Sequence, residues 1–353
     1  MPAEPMTIAI LVNDVDTEVP TAATTVLARA AAVRGHTVYM TGVGDLTYDS
    51  SGRMRMVCRR APEGGADDQA AFLQAVQGRR VERHVVNTSD IDVLWLRYNP
   101  LESVEHSAWE HDAGMIFGQI AVREGVIVLS HPYTLPIAVN KLYLEHFPEE
   151  IRPRTVITRS YDEIRAFHER EGGKIVVKPL RGYGGKDVFL VDEDAGNLRQ
   201  IVESIARTSY VIAQEFLPAA SEGDTRFFLF NGKPLVVDGK YAALRRIAGS
   251  DDFRSNMSAG GKPAKAEVTD RMLEIADIVR PRLVADGIFD AGLDIVGDKL
   301  VEINAISSGG LNAASRLEEA DFGGAVIALV ERKVEHRRRY GAQLRNRGLA
   351  VMD

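Results

Sequence analysis

Apolar positions along this chain follow two rhythms that keep replacing one another. Residues 7–12 (Thr-Ile-Ala-Ile-Leu-Val) form a short β-branched run with no polar face, which predicts a strand buried on both sides. The alanine-rich stretch 21–33 has high helix propensity and stops at Gly35, where a left-handed cap is expected. Residues 36–41, 92–96 and 126–129 predict further strands, and 68–77 and 109–123 predict helices between them. Such alternation predicts an α/β fold class with an N-terminal parallel α/β layer joined by right-handed crossovers.

Pro132 and Pro136 break the pattern and suggest a boundary. Beyond it, 138–147 and 161–171 predict helices, and 154–158 and 174–178 predict strands. The glycine-rich turn 181–186 is followed by a strand over 187–191, so the turn is expected at a hairpin tip. A third unit opens near 210–215. In it, strands 226–230 and 234–238 are joined through Asn231-Gly232, the strongest short hairpin signal. A helix over 270–285 and the segment 292–304 close it. The expected division is 1–133, a lid subdomain 134–211, a metal-bearing subdomain 212–335 and a basic tail 336–353, read as a solvated helix face or a frayed end.

Composition narrows the choices. The 353 residues hold 43 Lys+Arg against 50 Asp+Glu, a net charge of −7, which argues against a nucleic-acid footprint. Cys58 is the only cysteine, so no internal disulfide or cysteine-rich zinc site can form. No basic segment precedes an apolar one at the start, and no run reaches the roughly 20 apolar residues that span a bilayer. A soluble, cytoplasmic protein without membrane partners is expected.

Two phosphate motifs fail on inspection. Gly42-Val43-Gly44 lacks the third glycine of a dinucleotide fingerprint, and Gly185-Lys186 is followed by Asp187 rather than Ser or Thr. No nucleophile elbow or His-Glu-x-x-His helix is present. Three other clusters remain. Lys178 ends a buried strand beside Gly182, Gly184 and Gly185; it either snorkels to solvent or binds phosphate with the turn. Glu215 and Asp224 are either a strand-end carboxylate and a turn former, or they hold ribose hydroxyls. Asp294, Glu302 and Asn304 flank a Gly297-Asp298 turn in a run of Leu, Ile and Val. They are either an exposed polar strand face or a set of hard oxygen ligands for Mg²⁺.

Taken together, Lys141, Val177-Lys178-Pro179, the glycine turn, Ala213-Gln214-Glu215-Phe216-Leu217, Gly223-Asp224-Thr225-Arg226 and Gly292-Leu293-Asp294…Glu302-Ile303-Asn304 resemble the ATP-grasp ligases. More closely, they resemble the bacterial glutathione synthetase family, from the first strand to about Val334; the segment 246–261 is the most specific match. The resemblance implies a two-subdomain ATP-grasp fold with α+β subdomains after the N-terminal layer. It implies ATP and magnesium (or manganese) as cofactors, small-molecule acid and amine substrates, and a homo-oligomer, dimer or tetramer.

By the same resemblance, Lys141 and Lys178 would contact ATP phosphates beneath Gly182, Gly184 and Gly185. Gln214, Glu215, Phe216 and Leu217 would form the adenine hinge, with Asp224 near the ribose. Asp294, Glu302 and Asn304 would ligate the metal. Arg226, Arg246, Arg254 and Asn256 would face the acyl phosphate and substrate carboxylates, and Arg97, Asn99, Ser307, Ser308 and Gly309 would line the substrate site. Two positions depart from the family pattern: Asn99 stands where Arg-x-Asp-Pro has its aspartate, and Ser308 where Ser-Pro has its proline.

The implied reaction moves a phosphoryl group onto a carboxylate and lets an amine displace it. Positioned cations do this work, so no protein nucleophile is required. An acyl phosphate must be kept dry, so the turn 181–186 and the loop 249–261 are expected to act as lids. Glutathione synthesis is the first expectation. A same-fold ligase with other substrates, and a non-catalytic nucleotide-binding regulator, are the alternatives.

Overall fold

A computed structural model describes residues 4–102, 108–182, 184–194, 196–247 and 261–353. The run at 7–12 becomes the strand Thr7–Val12, buried along nearly its whole length at the centre of a seven-stranded sheet. It pairs in parallel with Thr37–Gly42 on one side and Val93–Leu96 on the other, and Val93–Leu96 pairs in parallel with Ile127–Leu129. The helix Ala23–Val33 buries Ala23, Leu27, Ala28 and Ala31 on the sheet, and Gly35 at φ 86° releases the chain into the next strand.

Three antiparallel strands extend this layer beyond what the apolar pattern predicts: Leu46–Tyr48, Met54–Arg60 and His84–Asn87. Met54–Arg60 reads poorly because arginines interrupt it. One of them, Arg59, is nonetheless buried on Asp16, at 2.7 Å from Nη2 to Oδ2. Cys58 lies in the same strand, where burial pushes its thiol up to about 12, far from the range of a reactive thiolate.

The helix expected over 138–147 is instead a short helix, Leu135–Ala138, and a 3₁₀ segment, Lys141–His146. Pro136 sits in the first turn of the one, and Asn140 caps the other by accepting from Leu142 N. Next comes a four-stranded antiparallel sheet in the order Phe189–Val191, Ile175–Pro179, Val211–Glu215, Thr155–Thr158. Helices Tyr161–Arg170 and Leu198–Ala206 cover one face of it with a core of their own, including Ile164, Phe167, Val177 and Ile201. The boundary expected at 211/212 is corrected here: it cuts a strand whose register, Ile212 opposite Lys178 and Ile157, fixes it in this sheet through Glu215.

The third sheet runs Lys262–Ala264, Ala243–Ile247, Asp224–Phe230, Asp290–Val296, Lys299–Asn304. Asn231 and Gly232, both at positive φ (52° and 72°), make the expected hairpin turn. The expected return strand 234–238 is split. Lys233–Pro234 pairs back, then Val236–Val237 pairs with Lys240–Tyr241 around a second tight turn at Asp238 and Gly239. This sheet shares core with the N-terminal layer, where Phe289 packs edge-on to Trp95 at 5.5 Å and to Phe230 at 5.4 Å. Among the described residues no helix is long and apolar enough to cross a membrane.

The C-terminal end is packed, which corrects the frayed end, while Arg338 and Arg339 lie on a solvated helix face as the other alternative had it. The helix Phe322–Tyr340 buries Lys333, whose ammonium donates to Asn231 Oδ1 at 2.7 Å and to the Met352 carbonyl at 2.6 Å. Arg338 pairs with Glu4 and Asp92 rather than pointing to solvent alone. Buried Asn346 accepts from Val128 N at 2.8 Å and donates to Val128 O at 3.0 Å, so its amide closes the open edge of the N-terminal sheet. Asn346→Ala leaves both backbone groups unpaired and is expected to cost about 1–3 kcal/mol in urea unfolding. Turnover per folded molecule should not change.

Candidate active site

The cleft lies where the four-stranded sheet faces the third sheet, and strand alternation decides which side chains enter it. Ile175, Val177 and Pro179 are buried, whereas Val176 and Lys178 take the opposite face and line a cavity of about 150 Å³. Gln214, opposite Val176, accepts from Lys178 Nζ at 3.1 Å through Oε1 and donates to Thr155 Oγ1 at 3.2 Å. Burial, reinforced by the neighbouring Lys141 ammonium, lowers Lys178 to about 8. Val296, Val301, Phe216 and Leu217 give this cavity an apolar slot, and Lys174 stacks its ammonium 4.2 Å from the Phe216 ring centre.

Glu215 borders the same cavity, but its carboxylate is turned to Arg154, accepting from Arg154 N at 2.8 Å and pairing with the guanidinium. Asp224 accepts both N–H groups of Arg246 at 2.6 and 2.8 Å. A second cavity of about 330 Å³ adjoins the first, lined by Asn99, Leu101, Arg226 and the loop 305–310. Lys141, Gly184, Arg246 and Glu302 border both cavities. Gly184 and Gly185 sit at φ 63° and 76°, a backbone that side-chained residues rarely adopt. At Gly182 a Cβ would stand 3.2 Å from Pro179 and 3.8 Å from Lys141 Nζ.

Asp294 organises the junction. Arg226 binds it through both oxygens at 2.7 Å, Arg246 adds a contact at 2.8 Å, and Asn304 donates to Oδ2 at 3.3 Å. Burial works against this carboxylate's charge, but the two guanidinium groups outweigh it and hold the acid well below the usual range. They in turn hold Arg246 more firmly protonated than a free arginine, against the cost of its burial. Glu302 differs: among the described residues its half-buried carboxylate takes no hydrogen bond or ion pair.

The donors suit a hard divalent cation, with two carboxylates and an amide oxygen and no soft ligand. Among the described residues no three His, Cys, Asp or Glu side chains converge as a metal cluster, so Asn304 has to complete the set. Glu302, whose carboxylate has only the longer-range attraction of the Lys178 ammonium, has its oxygens open to a cation.

Of the residues singled out from the sequence, Lys141, Lys178, the turn glycines, 214–217, Asp224, Arg226, Arg246, Glu302 and Asn304 gather at the two cavities, with Asn99, Ser307, Ser308 and Gly309 on the larger one. Arg254 and Asn256 lie outside the described residues. Arg97 is corrected. It is only 3% exposed, borders neither cavity and pairs with Asp290 at 2.6 Å, because a buried guanidinium needs a fixed counter-charge. Asp290 was not found from the sequence; its one signal is an acid in an apolar strand two positions before Gly292.

A cleft between two such sheets, with an apolar slot and converging lysines, arginines and oxygen ligands, belongs to an ATP-grasp ligase. The crystal structure of D-cycloserine synthetase DcsG has this fold, at TM-score 0.62 and 16% identity over 92% of this chain and 99% of that one. A family model for the prokaryotic glutathione synthetase ATP-grasp domain matches residues 140–319, and one for that synthetase's N-terminal domain matches 6–135. The glutathione synthetase of Gloeobacter violaceus is 33% identical over 318 residues, 87% of this chain and 90% of its own. That of Shewanella oneidensis is 34% identical over 248 residues, 70% and 75% of the two chains. That of Yersinia pestis is 36% identical over 224 residues, 62% of this chain and 65% of its own. The chain belongs to the prokaryotic glutathione synthetase family, and is an ATP-dependent carbon–nitrogen ligase that uses a divalent metal and small-molecule substrates.

Proposed function

We propose that the chain makes glutathione from γ-glutamylcysteine, glycine and ATP, with ATP in the smaller cavity and the acid and amine in the larger. The observation that carries this reading is the meeting of the two cavities at Lys141, Arg246 and Glu302. A γ-phosphoryl group leaving the first cavity enters the second among fixed cations.

In this mechanism the carboxylate of the acid attacks the γ-phosphorus, the bond to the β-phosphate oxygen breaks, and ADP departs. The amine then attacks the acyl carbon, loses a proton and expels phosphate. Arg226 and Arg246 grip the transferring oxygens with planar forks, and Lys141 and Lys178 hold the phosphate chain. Asp294, Glu302 and Asn304 would hold magnesium, which supplies charge neutralisation on the phosphates. The Arg226 and Arg246 forks on Asp294 would have to shift as it does so. The glycine turn 181–186 closes over the phosphates.

A second reading has a specific motive: Asp290 neutralises Arg97, and Asn99 brings an amide to the cavity wall, so the larger cavity favours a different acid or amine. The test is turnover of γ-glutamylcysteine plus glycine beside a panel of acids and amines, with products identified by mass. Glutathione as the main product supports the first reading. Its absence while another pair turns over establishes the second. Failure of millimolar Mg-ATP to raise the melting temperature would sink both.

Lys178 adds a pH prediction. Its ordinary 10.5 is lowered to about 8 in the folded chain, so between those values the unfolded chain binds a proton the folded one has lost. Lys178's contribution to stability therefore rises with pH across that window, the burial cost of the ammonium being fully present below about 8. Affinity for nucleotide runs the other way, since phosphate favours the charged amine. Titration calorimetry of Mg-ADP is expected to be flat below about pH 8 and to weaken above it, by at most about tenfold per pH unit. In Lys178→Arg the slope should vanish.

A further inference from the structure

One face of the strand Asp290–Val296 carries more than the phosphoryl chemistry uses. Residues 290, 292 and 294 share that face, as alternate positions of a strand do. Asp294 holds Arg226 and Asp290 holds Arg97, and each arginine reaches past its aspartate to a carbonyl of the same loop. Arg226 donates to Gly309 O at 3.2 Å and Arg97 to Ser308 O at 3.4 Å. Between them Gly292 has no side chain, and a Cβ there would stand 2.1 Å from Ser308 Oγ. The loop needs outside restraint, because Ser307 lies at φ 48° and Gly310 at φ 104°.

The two grips differ. The Arg226 side chain is 13% exposed and borders the larger cavity, so it is placed to leave Gly309 for phosphoryl oxygens. The Arg97 side chain is 2% exposed and its partner's 4%, and neither borders that cavity. Arg97 also donates to Thr24 Oγ1 at 3.3 Å and follows directly on the strand Val93–Leu96, so its hold on the loop is referenced to the N-terminal layer.

We propose that Arg97 is a positioning residue: fixed by Asp290, it sets the height of the loop 307–310 against the acid and amine, and touches neither. The proposal rests on the reading of the larger cavity as the acid and amine site.

The test compares the full chain with Asp290→Asn and Arg97→Lys, using whichever acid–amine pair the parent turns over best. Both variants are expected to raise KM for acid and amine about tenfold with KM for ATP unchanged, since loop misplacement of the order of an ångström suffices for such losses. Their effects should be sub-additive when combined. Direct contact between Arg97 and the acid predicts the opposite sign for Asp290→Asn, because freeing the guanidinium would lower the acid's KM; that result overturns the proposal. Arg97→Met with Asp290→Leu replaces the buried pair by apolar groups and guards against simple loss of fold. It should keep the Mg-ATP thermal shift and show the same rise in KM; parental KM values in it overturn the proposal too. If the parent makes a product other than glutathione, the substrate reading fails, while these comparisons still decide the role of Arg97.

Discussion

Glu302→Ala is expected to lower turnover by about 10²–10³-fold, the loss typical of removing one group that stabilises transition-state charge. Unfolding in urea should change by no more than about 0.5 kcal/mol, the usual range for a side chain that supports no packing or pairing. The asymmetry follows from its surroundings. Glu302 borders both cavities and takes no hydrogen bond or ion pair among the described residues, so the fold loses only its longer-range attraction to the Lys178 ammonium when it is cut back. Asn304→Ala should act in the same direction, with a small stability effect from its single 3.3 Å contact to Asp294. Turnover and urea curves, each measured at limiting and saturating magnesium, check both. Near-parental turnover of both variants at limiting magnesium would remove the metal role from this face.

Much of the lining of the candidate site was legible because strands write chemistry at alternate positions. Lys178 at the end of its strand, and Glu302 and Asn304 two positions apart, stand out in apolar runs because polar residues on every second position have a face to themselves. What a polar residue pairs with depends on the partner strand, and no local pattern carries that. Asp224 read as a turn former or a ribose contact; it does line the smaller cavity, but the sequence does not show that register sets it opposite Arg246, which donates to both its oxygens. Arg97 read as a substrate cation, yet it meets an aspartate 193 residues away. The same limit explains the fold. Strands buried on both faces, such as Thr7–Val12, were visible, whereas Met54–Arg60 was hidden by arginines whose counter-charges lie in other elements. The packed C-terminus was hidden for a related reason, since Asn346 and Lys333 are polar residues buried by distant partners.

The crowding of charge at Asp294 suggests how chemistry and stability are coupled. Its carboxylate is shared by two arginines, the partners that the proposed reaction would recruit to phosphoryl oxygens. The pairing orders both guanidinium groups beside the cavities, from where a short shift off Asp294 would bring them to phosphoryl oxygens.

Arg246→Met should expose that coupling. Arg246 is 5% exposed and is paired with both Asp224, itself 7% exposed, and Asp294. Its removal leaves Asp224 without its paired guanidinium and Asp294 with one cation fewer, a situation that costs about 3–5 kcal/mol. The loss should be largest at neutral pH. A buried carboxylate deprived of its cation has its folded pKa raised above the unfolded value, so protonation relieves the strain and the deficit shrinks as pH falls toward 5. Turnover is expected to drop by about 10²-fold or more if, as proposed, Arg246 is one of the two planar forks that grip the transferring group. Arg226→Met should lose comparable turnover with a smaller stability deficit, because Asp294 keeps Arg246. Arg246→Lys restores charge without the bidentate geometry and should recover part of the stability but little of the rate. Urea unfolding at pH 7 and pH 5, with turnover measured on the same preparations, checks the set. A fully stable, fully active Arg246→Met would mean that the Asp224–Arg246–Asp294 cluster serves neither the fold nor the phosphoryl transfer.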